Sequence, residues 1–488
     1  MTLSQLSQDT GARKARRIRL AAWPLATAWL AAGVAGVCSP DLWGGSSALA
    51  DGAFPTSQSV LLPSDRPKEI VLAANFGLIF SENDGGSWSY ACDDPSATAN
   101  ASSYLLGPAP ANRIYALSSG LGAAVSSDGA CTWALGGGAL VNQLVNDVFP
   151  DPSNADRVFA VAIPAGVANP VTAIFHSEDG GLTYAVSGFA TPAGASITGI
   201  EVAATEPDRV FATLDGSSDG SQPELARSID GGKTFELHAL GPALGAVKVR
   251  LVAIDPTDAS VIFLRLFSAP GVTPVSEALA MSRDGGDTWT TPLMLEGGSL
   301  VGFVRLPTGT LVALATTPSG AVLVRSKDAG VSFATSPLSF APKGLAARAG
   351  VLFAAADEFP AGETNPVRFS LASSVDEGET WQARLKFSQI SGVRACVKAA
   401  CQSNCAYLSG LTLFPQASCS TSAGSGSGGG AKTGSGGGCS YALGQSRLGW
   451  ISSVCGAVAV FLGVGATLGR RRRRRRSRLG GGQVHSRD

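Results

Sequence analysis

One short phrase recurs seven times along the chain and constrains the fold more than any other feature. Its clearest copy is SRDGGDTW, from Ser282 to Trp289. Successive copies are separated by steps of 45, 51, 51, 54, 44 and 48 residues. A period of this size is typical of repeat folds, in which each copy marks one structural unit. The residues at the Asp place are Asn83, Asp128, Asp179, Asp230, Asp284, Asp328 and Asp376.

Each copy predicts a tight turn between two strands. The Asp carboxylate can accept backbone N–H bonds of the turn, and a glycine such as Gly286 supplies a positive φ. The aromatic residue that ends the phrase then folds back over the turn as an apolar plug. A calcium loop is the alternative, but it needs more oxygen ligands than the phrase offers. The aromatic residues are Trp88, Trp133, Tyr184, Phe235, Trp289, Phe333 and Trp381.

The sequence around each copy predicts four short strands. A proline turn precedes an apolar strand such as residues 209 to 214, a second strand leads into the phrase, and the aromatic residue opens a third. One more strand, such as residues 197 to 204, comes before each proline turn. Four strands in about fifty residues match a β-propeller blade. We therefore predict an all-β fold, a seven-bladed propeller of four-stranded antiparallel blades over residues 58 to 387; two smaller propellers or an incomplete ring are the alternatives.

The phrase also resembles the Asp-box, S-x-D-x-G-x-T-W, of sialidase-like, sortilin-like and xyloglucanase-like propellers. Two copies depart from it, because Asn83 replaces the Asp in the first and Ala130 replaces a turn glycine in the second. The resemblance implies the same propeller fold and a structural role for the motif.

The charges divide the chain into an acidic body and basic ends. Residues 51 to 447 hold 23 Lys and Arg residues against 34 Asp and Glu residues, a formal charge of −11. Proteins that bind nucleic acids use clustered basic residues against the phosphates. An acidic body argues against a nucleic-acid partner.

The N-terminal residues 1 to 50 have the order of a secretory signal peptide. A basic run precedes the apolar residues 20 to 37, and Ala48, Leu49 and Ala50 form an A-x-A cleavage site. A membrane anchor is the alternative, although Pro24 interrupts the apolar run. We expect the protein to be exported.

The C-terminal region predicts a tether and a membrane span. Residues 420 to 438 are rich in Gly and Ser, which favours a flexible linker. Residues 448 to 469 carry no charge and are long enough to cross a hydrocarbon core of roughly 30 Å as a helix. The arginine block from Arg470 to Arg476 then follows, as expected on the cytoplasmic side of a span.

Residues 439 to 478 together resemble the MYXO-CTERM sorting tail of myxobacterial surface proteins. The resemblance rests on the Gly-rich tether, the Gly438-Cys439-Ser440 site, the apolar span and the arginine block. It implies that Cys439 is processed and holds the protein at the cell surface or outer membrane.

The cysteines of an exported chain are read first as disulfide candidates. Cys92 follows the first phrase and Cys131 lies inside the second, so we predict a bridge between them. We expect the Cys-rich segment, residues 388 to 419, to form two further disulfides among its own cysteines. Three pairings are open, and the cysteines concerned are Cys396, Cys401, Cys405 and Cys419.

Two functions compete: a non-catalytic binding module and a glycoside hydrolase. Propeller hydrolases of the xyloglucanase type use two facing carboxylates, but nothing in the sequence selects a pair. No metal or cofactor site is predicted, and the chain is expected to be monomeric. Carboxylates outside the phrases are Asp147, Glu201, Asp215, Asp255, Glu277, Asp357 and Glu358.

The binding module is the preferred interpretation, with a protein or glycan as the ligand. Three long Pro- and Gly-rich insertions fall between the second and third strands of successive units. Loops of one type leave one face of a propeller, so they are the expected contact surface. The insertions are residues 163 to 172, 214 to 224 and 267 to 277.

Overall fold

The computed structural model describes residues 56 to 410 and residue 419. Gaps in this range are residues 95, 100, 119 to 121, 165 to 170, 217 to 221, 246 to 247, 269 to 275 and 360 to 367. Seven sheets, each built on four consecutive antiparallel strands, confirm the predicted seven-bladed propeller.

Several predicted segments lie outside the described residues. They are the signal peptide (1 to 50), the linker (420 to 438) and the sorting tail (439 to 478) with its span (448 to 469). Within the described part of the chain, no helix is both long enough and apolar enough to span a membrane.

The first four blades follow one another along the chain. Blade 1 holds β1 (Ser57–Leu61), β2 (Ile70–Ala74), β3 (Gly77–Ser81) and β4 (Trp88–Cys92). Blade 2 holds β5 (Ala101–Leu106), β6 (Ile114–Ser118), β7 (Gly122–Ser126) and β8 (Ala134–Leu135). A short β9 (Gly137–Gly138) precedes blade 3, which holds β10 (Gln143–Pro150), β11 (Val158–Pro164), β12 (Ala173–Ser177) and β13 (Thr183–Val186). Blade 4 holds β14 (Ser196–Val202), β15 (Val210–Asp215), β16 (Glu224–Ser228) and β17 (Glu236–Ala239).

The last three blades and a C-terminal segment complete the described fold. A short helix α1 (Gly241–Leu244) leads to blade 5, with β18 (Lys248–Asp255), β19 (Asp258–Phe267), β20 (Glu277–Ser282) and β21 (Thr290–Leu295). Blade 6 holds β22 (Ser299–Arg305), β23 (Leu311–Thr317), β24 (Gly320–Ser326) and β25 (Ala334–Pro337). Blade 7 holds β26 (Pro342–Arg348), β27 (Val351–Ala356), β28 (Leu371–Ser374) and β29 (Gln382–Leu385). The 3₁₀ turns Phe387–Gln389 and Ala395–Val397 flank β30 (Ile390–Val393), and helix α2 (Lys398–Gly410) follows.

The first strand of every blade contacts the first strand of the next, and β26 contacts β1, so the ring is closed. Closure joins two complete blades rather than sharing a strand between the ends of the array. At this junction a Cβ on Gly344 would lie 2.6 Å from the Gln58 carbonyl oxygen, so only glycine fits. Ser57 Oγ also donates to the Ser370 carbonyl at 3.0 Å.

The alternating strand direction gives the propeller two distinct faces. Connections from the second to the third strand, and from one blade to the next, leave on one side, which we call the insertion face. The turns that carry the repeated phrase lie between the third and fourth strands on the opposite side, the corner face. All three long insertions therefore emerge on the insertion face.

Every innermost strand carries one β-bulge. A bulge leaves one residue out of the pairing with the second strand and bends the strand, which re-aims side chains at the rim of a barrel or ring. These seven bulges interrupt the regular pairing around the central channel. The bulged residues are Gln58, Ser102, Asn146, Thr198, Val252, Val301 and Lys343.

Arginines on the corner face join several blades to the following one. Arg227 of blade 4 donates to the Gly285 carbonyl at 3.0 Å and pairs with Asp287 at 2.6 Å in blade 5. Arg384 of blade 7 donates to the Asp84 carbonyl of blade 1 at 2.6 Å. Turn carbonyls have no ladder partner, so these charge-assisted bonds satisfy them.

The C-terminal segment packs on blades 1 and 2. Strand β30 pairs in parallel with β4, and helix α2 contacts both. The disulfides are Cys92–Cys401, Cys131–Cys396 and Cys405–Cys419. The predicted Cys92–Cys131 bridge is therefore wrong, and so is the prediction of two disulfides within residues 388 to 419. The parallel pairing of β30, invisible in the sequence, brings two distant cysteines to the blades.

Candidate functional site

The repeated phrase forms a closed hydrogen-bond network within each corner turn. Asp284 Oδ1 accepts from the Ser282 hydroxyl at 2.8 Å and from the Thr288 N–H at 2.9 Å, and Oδ2 accepts from the Thr288 hydroxyl. The Gly286 N–H donates to Ser282 Oγ at 2.8 Å. Hydrogen bonds from the Thr288 hydroxyl and N–H lower the pKa of Asp284 to about 2. In five other turns, the Asp also accepts from the hydroxyl of the serine two residues before it and from the N–H of the Thr or Ser four residues after it. These residues are Asp128, Asp179, Asp230, Asp328 and Asp376.

The first turn uses an amide in place of the carboxylate. Asn83 Oδ1 accepts from the Ser87 N–H at 2.8 Å, while its Nδ2 donates to the Ser87 hydroxyl at 2.9 Å. An amide has one acceptor oxygen, so the hydroxyl bond is reversed relative to the Asp turns. In all seven turns the polar atoms are engaged locally, which leaves the phrase with no evident role in ligand binding.

The two residues after the Asp place have positive φ in every turn. The second of them also sets the distance between blades. A Cβ on Gly286 would lie 2.4 Å from Leu225 of blade 4, and one on Gly378 would lie 2.9 Å from Leu323 of blade 6. The sequence pattern predicted the turn conformation, but the close approach of the preceding blade appears only in the structure.

The aromatic residues of the phrase pack beside their turns. Trp289 Nε1 donates to the Gly286 carbonyl at 3.1 Å. Trp88 and Tyr184 are buried. The rings of Phe235 and Trp381 lie 5.1 Å from Phe189 and 5.4 Å from Phe340. Trp133 contacts the core between blades 1 and 2, and Phe333 the core between blades 5 and 6.

Three carboxylates outside the phrases accept hydrogen bonds from the backbone of a neighbouring segment. Asp215 of blade 4 accepts from the Val249 N–H of blade 5 at 2.8 Å. Glu277 accepts from the Leu300 N–H of blade 6 at 2.8 Å, and also from Arg265 in a bidentate pair at 2.6 Å. Glu358 accepts from the Phe387 N–H at 2.9 Å. These carboxylates act as structural acceptors between neighbouring segments of the ring.

Two further carboxylates form ion pairs between strands. Asp255 accepts from the Thr257 N–H at 2.8 Å and pairs with Arg305 of blade 6 at 2.9 Å. Asp357 lies 3.3 Å from Lys343 on the innermost strand of its own blade. Only Asp147 and Glu201 of the predicted carboxylates project from the middle of innermost strands.

Asp147, Glu201 and Arg250 form a charge cluster across blades 3, 4 and 5. Asp147 Oδ1 lies 3.7 Å from an Arg250 guanidinium nitrogen. Gly199 of blade 4 lies between them, since a Cβ there would be 3.4 Å from Asp147 Oδ2 and 3.7 Å from Arg250 Cγ. Glu201 Oε2 accepts from the Ile254 N–H at 3.0 Å. The small glycine thus lets charges of alternate blades meet on the channel wall.

Burial changes the protonation of this cluster. Desolvation raises the pKa of Asp147 to about 6. Desolvation and the adjacent charge of Asp147 raise the pKa of Glu201 to about 8. Perturbed carboxyl groups of this kind mark candidate functional sites, although structural networks produce them as well. In the described part of the chain, no group of three or more potential metal ligands occurs.

The mouth of the channel on the insertion face has a distinct charge pattern. The innermost strands begin at this face, and among their described residues the exposed charged side chains are Lys248, Arg250 and Lys343. The acidic side chains of the same strands, including Asp147 and Glu201, are buried or half-buried. Among the described residues of the innermost strands, only cations are exposed at this mouth, in contrast with the acidic body of the protein; the exposed Glu296 lies on the same face, in the connection from blade 5 to blade 6.

Comparison with known proteins adds remote structural likenesses only. No protein-family model matches the chain, and no curated protein matches it. An ancestral GH74 enzyme is similar at 15% identity and a TM-score of 0.48, covering 67% of this chain and 46% of that one. The GH74 xyloglucanase of Xanthomonas campestris is similar at 15% identity and a TM-score of 0.33, covering 67% and 58%.

A third solved structure shows a comparable likeness. YCF48 bound to D1 peptide is 17% identical, with a TM-score of 0.39, and the match covers 57% of this chain and 79% of that one. The chain thus spans about half the length of the two GH74 enzymes. Similarity this remote carries no information on activity, and the propeller fold follows from the chain's own seven sheets.

The sequence provided no signal for the channel-wall cluster as a unit. Asp147 and Glu201 were candidates among seven carboxylates, whereas Arg250 and Gly199 were not singled out. Both lie on innermost strands. Aligning the four strands of every repeat would have shown that Arg250 belongs to the first strand of its blade, and therefore lies beside the channel. Its reach across Gly199 to Asp147 depends on the blade-to-blade geometry.

Proposed function

We propose that the protein is an exported, surface-displayed propeller that binds a protein or glycan through its insertion face without catalysing a reaction. The observation that carries this proposal is the position of the insertions after β11, β15 and β19, which all leave on the same face as the channel mouth. Loops on a rigid scaffold are common binding elements.

The engagement of the carboxylates supports binding over hydrolysis. A hydrolase pair needs one carboxylic acid and one carboxylate facing a common cleft, at about 5 to 9.5 Å. Glu277, Glu358 and Asp215 instead accept backbone N–H groups of neighbouring segments. Their oxygens are committed to holding the ring together.

A glycoside hydrolase is the second candidate, favoured by the raised pKa values of Asp147 and Glu201. A carboxylic acid that stays protonated near neutral pH is suited to general acid catalysis. The two candidates differ in their products. The purified full-length chain should bind members of a polysaccharide and envelope-protein panel without releasing reducing sugar.

Two loop variants test the binding face. Residues 165 to 170 and residues 217 to 221 are replaced by Gly-Ser sequences of equal length, and Val331→Ser on the corner face serves as the control. Binding lost in the loop variants and retained in the control supports the insertion face. Sugar release that disappears in Glu201→Gln, with the fold intact, would instead establish the hydrolase.

We also propose that the segment from residue 439 to 478 anchors the protein at the cell surface through Cys439. The proposal rests on the resemblance of the tail to the sorting sequence. Cys439→Ala should release the protein into the medium or retain it in an internal fraction, whereas Cys455→Ala should not. Surface retention of the Cys439→Ala variant at the wild-type level would contradict it.

A further inference from the structure

The exposed charges around the channel mouth differ from those of the body. Lys248 and Arg250 have side chains 55% and 50% exposed, and the side chain of Lys343 on the other side of blade 6 is 40% exposed. Their nearest carboxylates, Asp215 and Asp147, are only 16% and 19% exposed. The cations therefore face solvent, while the compensating acids lie behind them.

The ion pairs of Lys248 and Arg250 at the mouth are loose, whereas Lys343 lies 3.3 Å from Asp357. Lys248 lies 4.0 Å from Asp215 and Arg250 lies 3.7 Å from Asp147, and both distances exceed that of a hydrogen bond. Asp215 is already bonded to the Val249 N–H at 2.8 Å. The bidentate pair of Arg265 and Glu277, at 2.6 Å, shows what a committed pair looks like in the same blade. Lys248 and Arg250 thus retain the capacity to bind an incoming anion.

Resting on the proposed binding role of the insertion face, we propose that the channel mouth binds an acidic polysaccharide whose carboxylates pair with Lys248, Arg250 and Lys343. Lys248 and Arg250 lie on blade 5 and Lys343 lies on blade 7, so blade 6 separates two cationic positions. Such an arrangement suits a polymer that repeats a carboxylate along its length. Arg250 offers a guanidinium fork that matches a carboxylate, and the two lysines act as point charges.

The neighbouring side chains favour a sugar polymer over a peptide strand. Asn146 and Ser196 are exposed on the same set of innermost strands and can donate to and accept from sugar hydroxyls. A peptide that adds to a sheet edge needs a regular row of free backbone N–H and C=O groups. The bulge in each innermost strand breaks that row.

The test uses polygalacturonate, a linear uronate polymer, with the purified full-length chain. The wild type should bind it, and the affinity should fall as NaCl is raised, because exposed ion pairs are screened. The triple variant Lys248→Gln, Arg250→Gln, Lys343→Gln should bind at least about tenfold more weakly. Dextran, which carries no charge, should not bind.

Matched variants keep the test independent of folding. Lys327→Gln removes a corner-face lysine that is 66% exposed and 3.4 Å from Glu377, so it should bind like the wild type. Thermal unfolding checks each variant. If Arg250→Gln lowers the melting temperature, Lys248→Gln with Lys343→Gln should still weaken binding, because these side chains are 55% and 40% exposed.

Three results would overturn the proposal. The first is that the triple variant binds polygalacturonate as tightly as the wild type does, and the second is that the two proteins bind dextran sulfate equally well. The third is that the wild type binds polyglutamate more tightly than polygalacturonate. If polygalacturonate does not bind but the loop variants abolish binding of another ligand, the acidic-polysaccharide proposal fails and the proposed function stands. If no ligand depends on the insertion face, both fail.

Discussion

Cys131, in the corner turn of blade 2, is disulfide-bonded to Cys396, which lies 265 residues later in the C-terminal segment. A second bridge joins Cys92 of blade 1 to Cys401 on helix α2. Between the two bridges, the guanidinium of Arg394 lies over the ring of Phe80 at 4.0 Å, and the backbone N–H of Arg394 donates to the Tyr90 carbonyl at 2.8 Å. The C-terminal segment therefore clamps blade 1 to blade 2.

Loss of the long-range clamp should destabilise the protein more than loss of the local bridge. Cross-links that close longer loops remove more entropy from the unfolded chain in the loop-closure model. Because Cys92–Cys401 remains intact, the loop that Cys131–Cys396 closes runs through that bridge and holds roughly 45 residues. We expect Cys131→Ser with Cys396→Ser to cost about 1 kcal/mol more than Cys405→Ser with Cys419→Ser, which spans 14 residues. Chemical unfolding under non-reducing conditions measures the difference; equal losses would contradict the prediction.

Substitution of the second corner glycine should be costly. Gly286→Ala combines a φ of +99° with a Cβ only 2.4 Å from Leu225, so blades 4 and 5 must move apart. We expect a loss of roughly 2 to 4 kcal/mol in the free energy of unfolding. Ala130→Gly is the matched change, because Ala130 occupies the same place at a φ of 66°. It should stabilise the protein by roughly 0.5 to 1 kcal/mol, and a loss there would contradict this account.

The corner carboxylates predict acid sensitivity. Hydrogen bonds from Thr288 and Thr380 lower the pKa values of Asp284 and Asp376 to about 2, from an ordinary 3.8. A lowered carboxyl pKa stabilises the fold above pH 3.8, and that contribution is lost as the pH falls towards 2. Asp284→Asn should flatten the fall in melting temperature over this window. An unchanged pH profile of the melting temperature in this variant would contradict a contribution of Asp284 to the acid sensitivity.

Glu201 predicts the opposite pH dependence. Its pKa is raised from 4.5 to about 8 by burial and by Asp147. A raised carboxyl pKa contributes stability that is complete below pH 4.5 and is lost as the pH rises through 8. Urea unfolding at pH 5 and pH 8 should show a loss of stability that Glu201→Gln reduces. Glu236→Gln, at a side chain 80% exposed, is the control and should leave the loss unchanged.

The fold could be predicted from the sequence because its information is local and repeated. Ser282, Asp284, Gly286 and Thr288 bond to one another within seven residues. Such a turn has the same form in any blade, so seven copies predicted seven blades. The two faces follow from the alternation of strand direction, which placed the insertions together before the structure was known.

The disulfide pairing could not be predicted in the same way. Cys92 and Cys131 lie in successive repeats, yet each forms a disulfide with the C-terminal segment rather than with the other. The deciding contact is β30 pairing in parallel with β4, 302 residues earlier by the pairing of Ile390 with Trp88. No periodic signal marks a single pairing of this kind, because it occurs once and spans the whole ring.

The sequence by itself determined the turns, the number of blades and the face that carries the insertions. These depend on contacts within one repeat, where spacing and residue type are sufficient. Only the tertiary structure decided how the ring closes, which cysteines meet and which charges share the channel wall. Asp147, Gly199 and Arg250 come together because three blades pack face to face around one axis, and that packing is a property of the assembled ring.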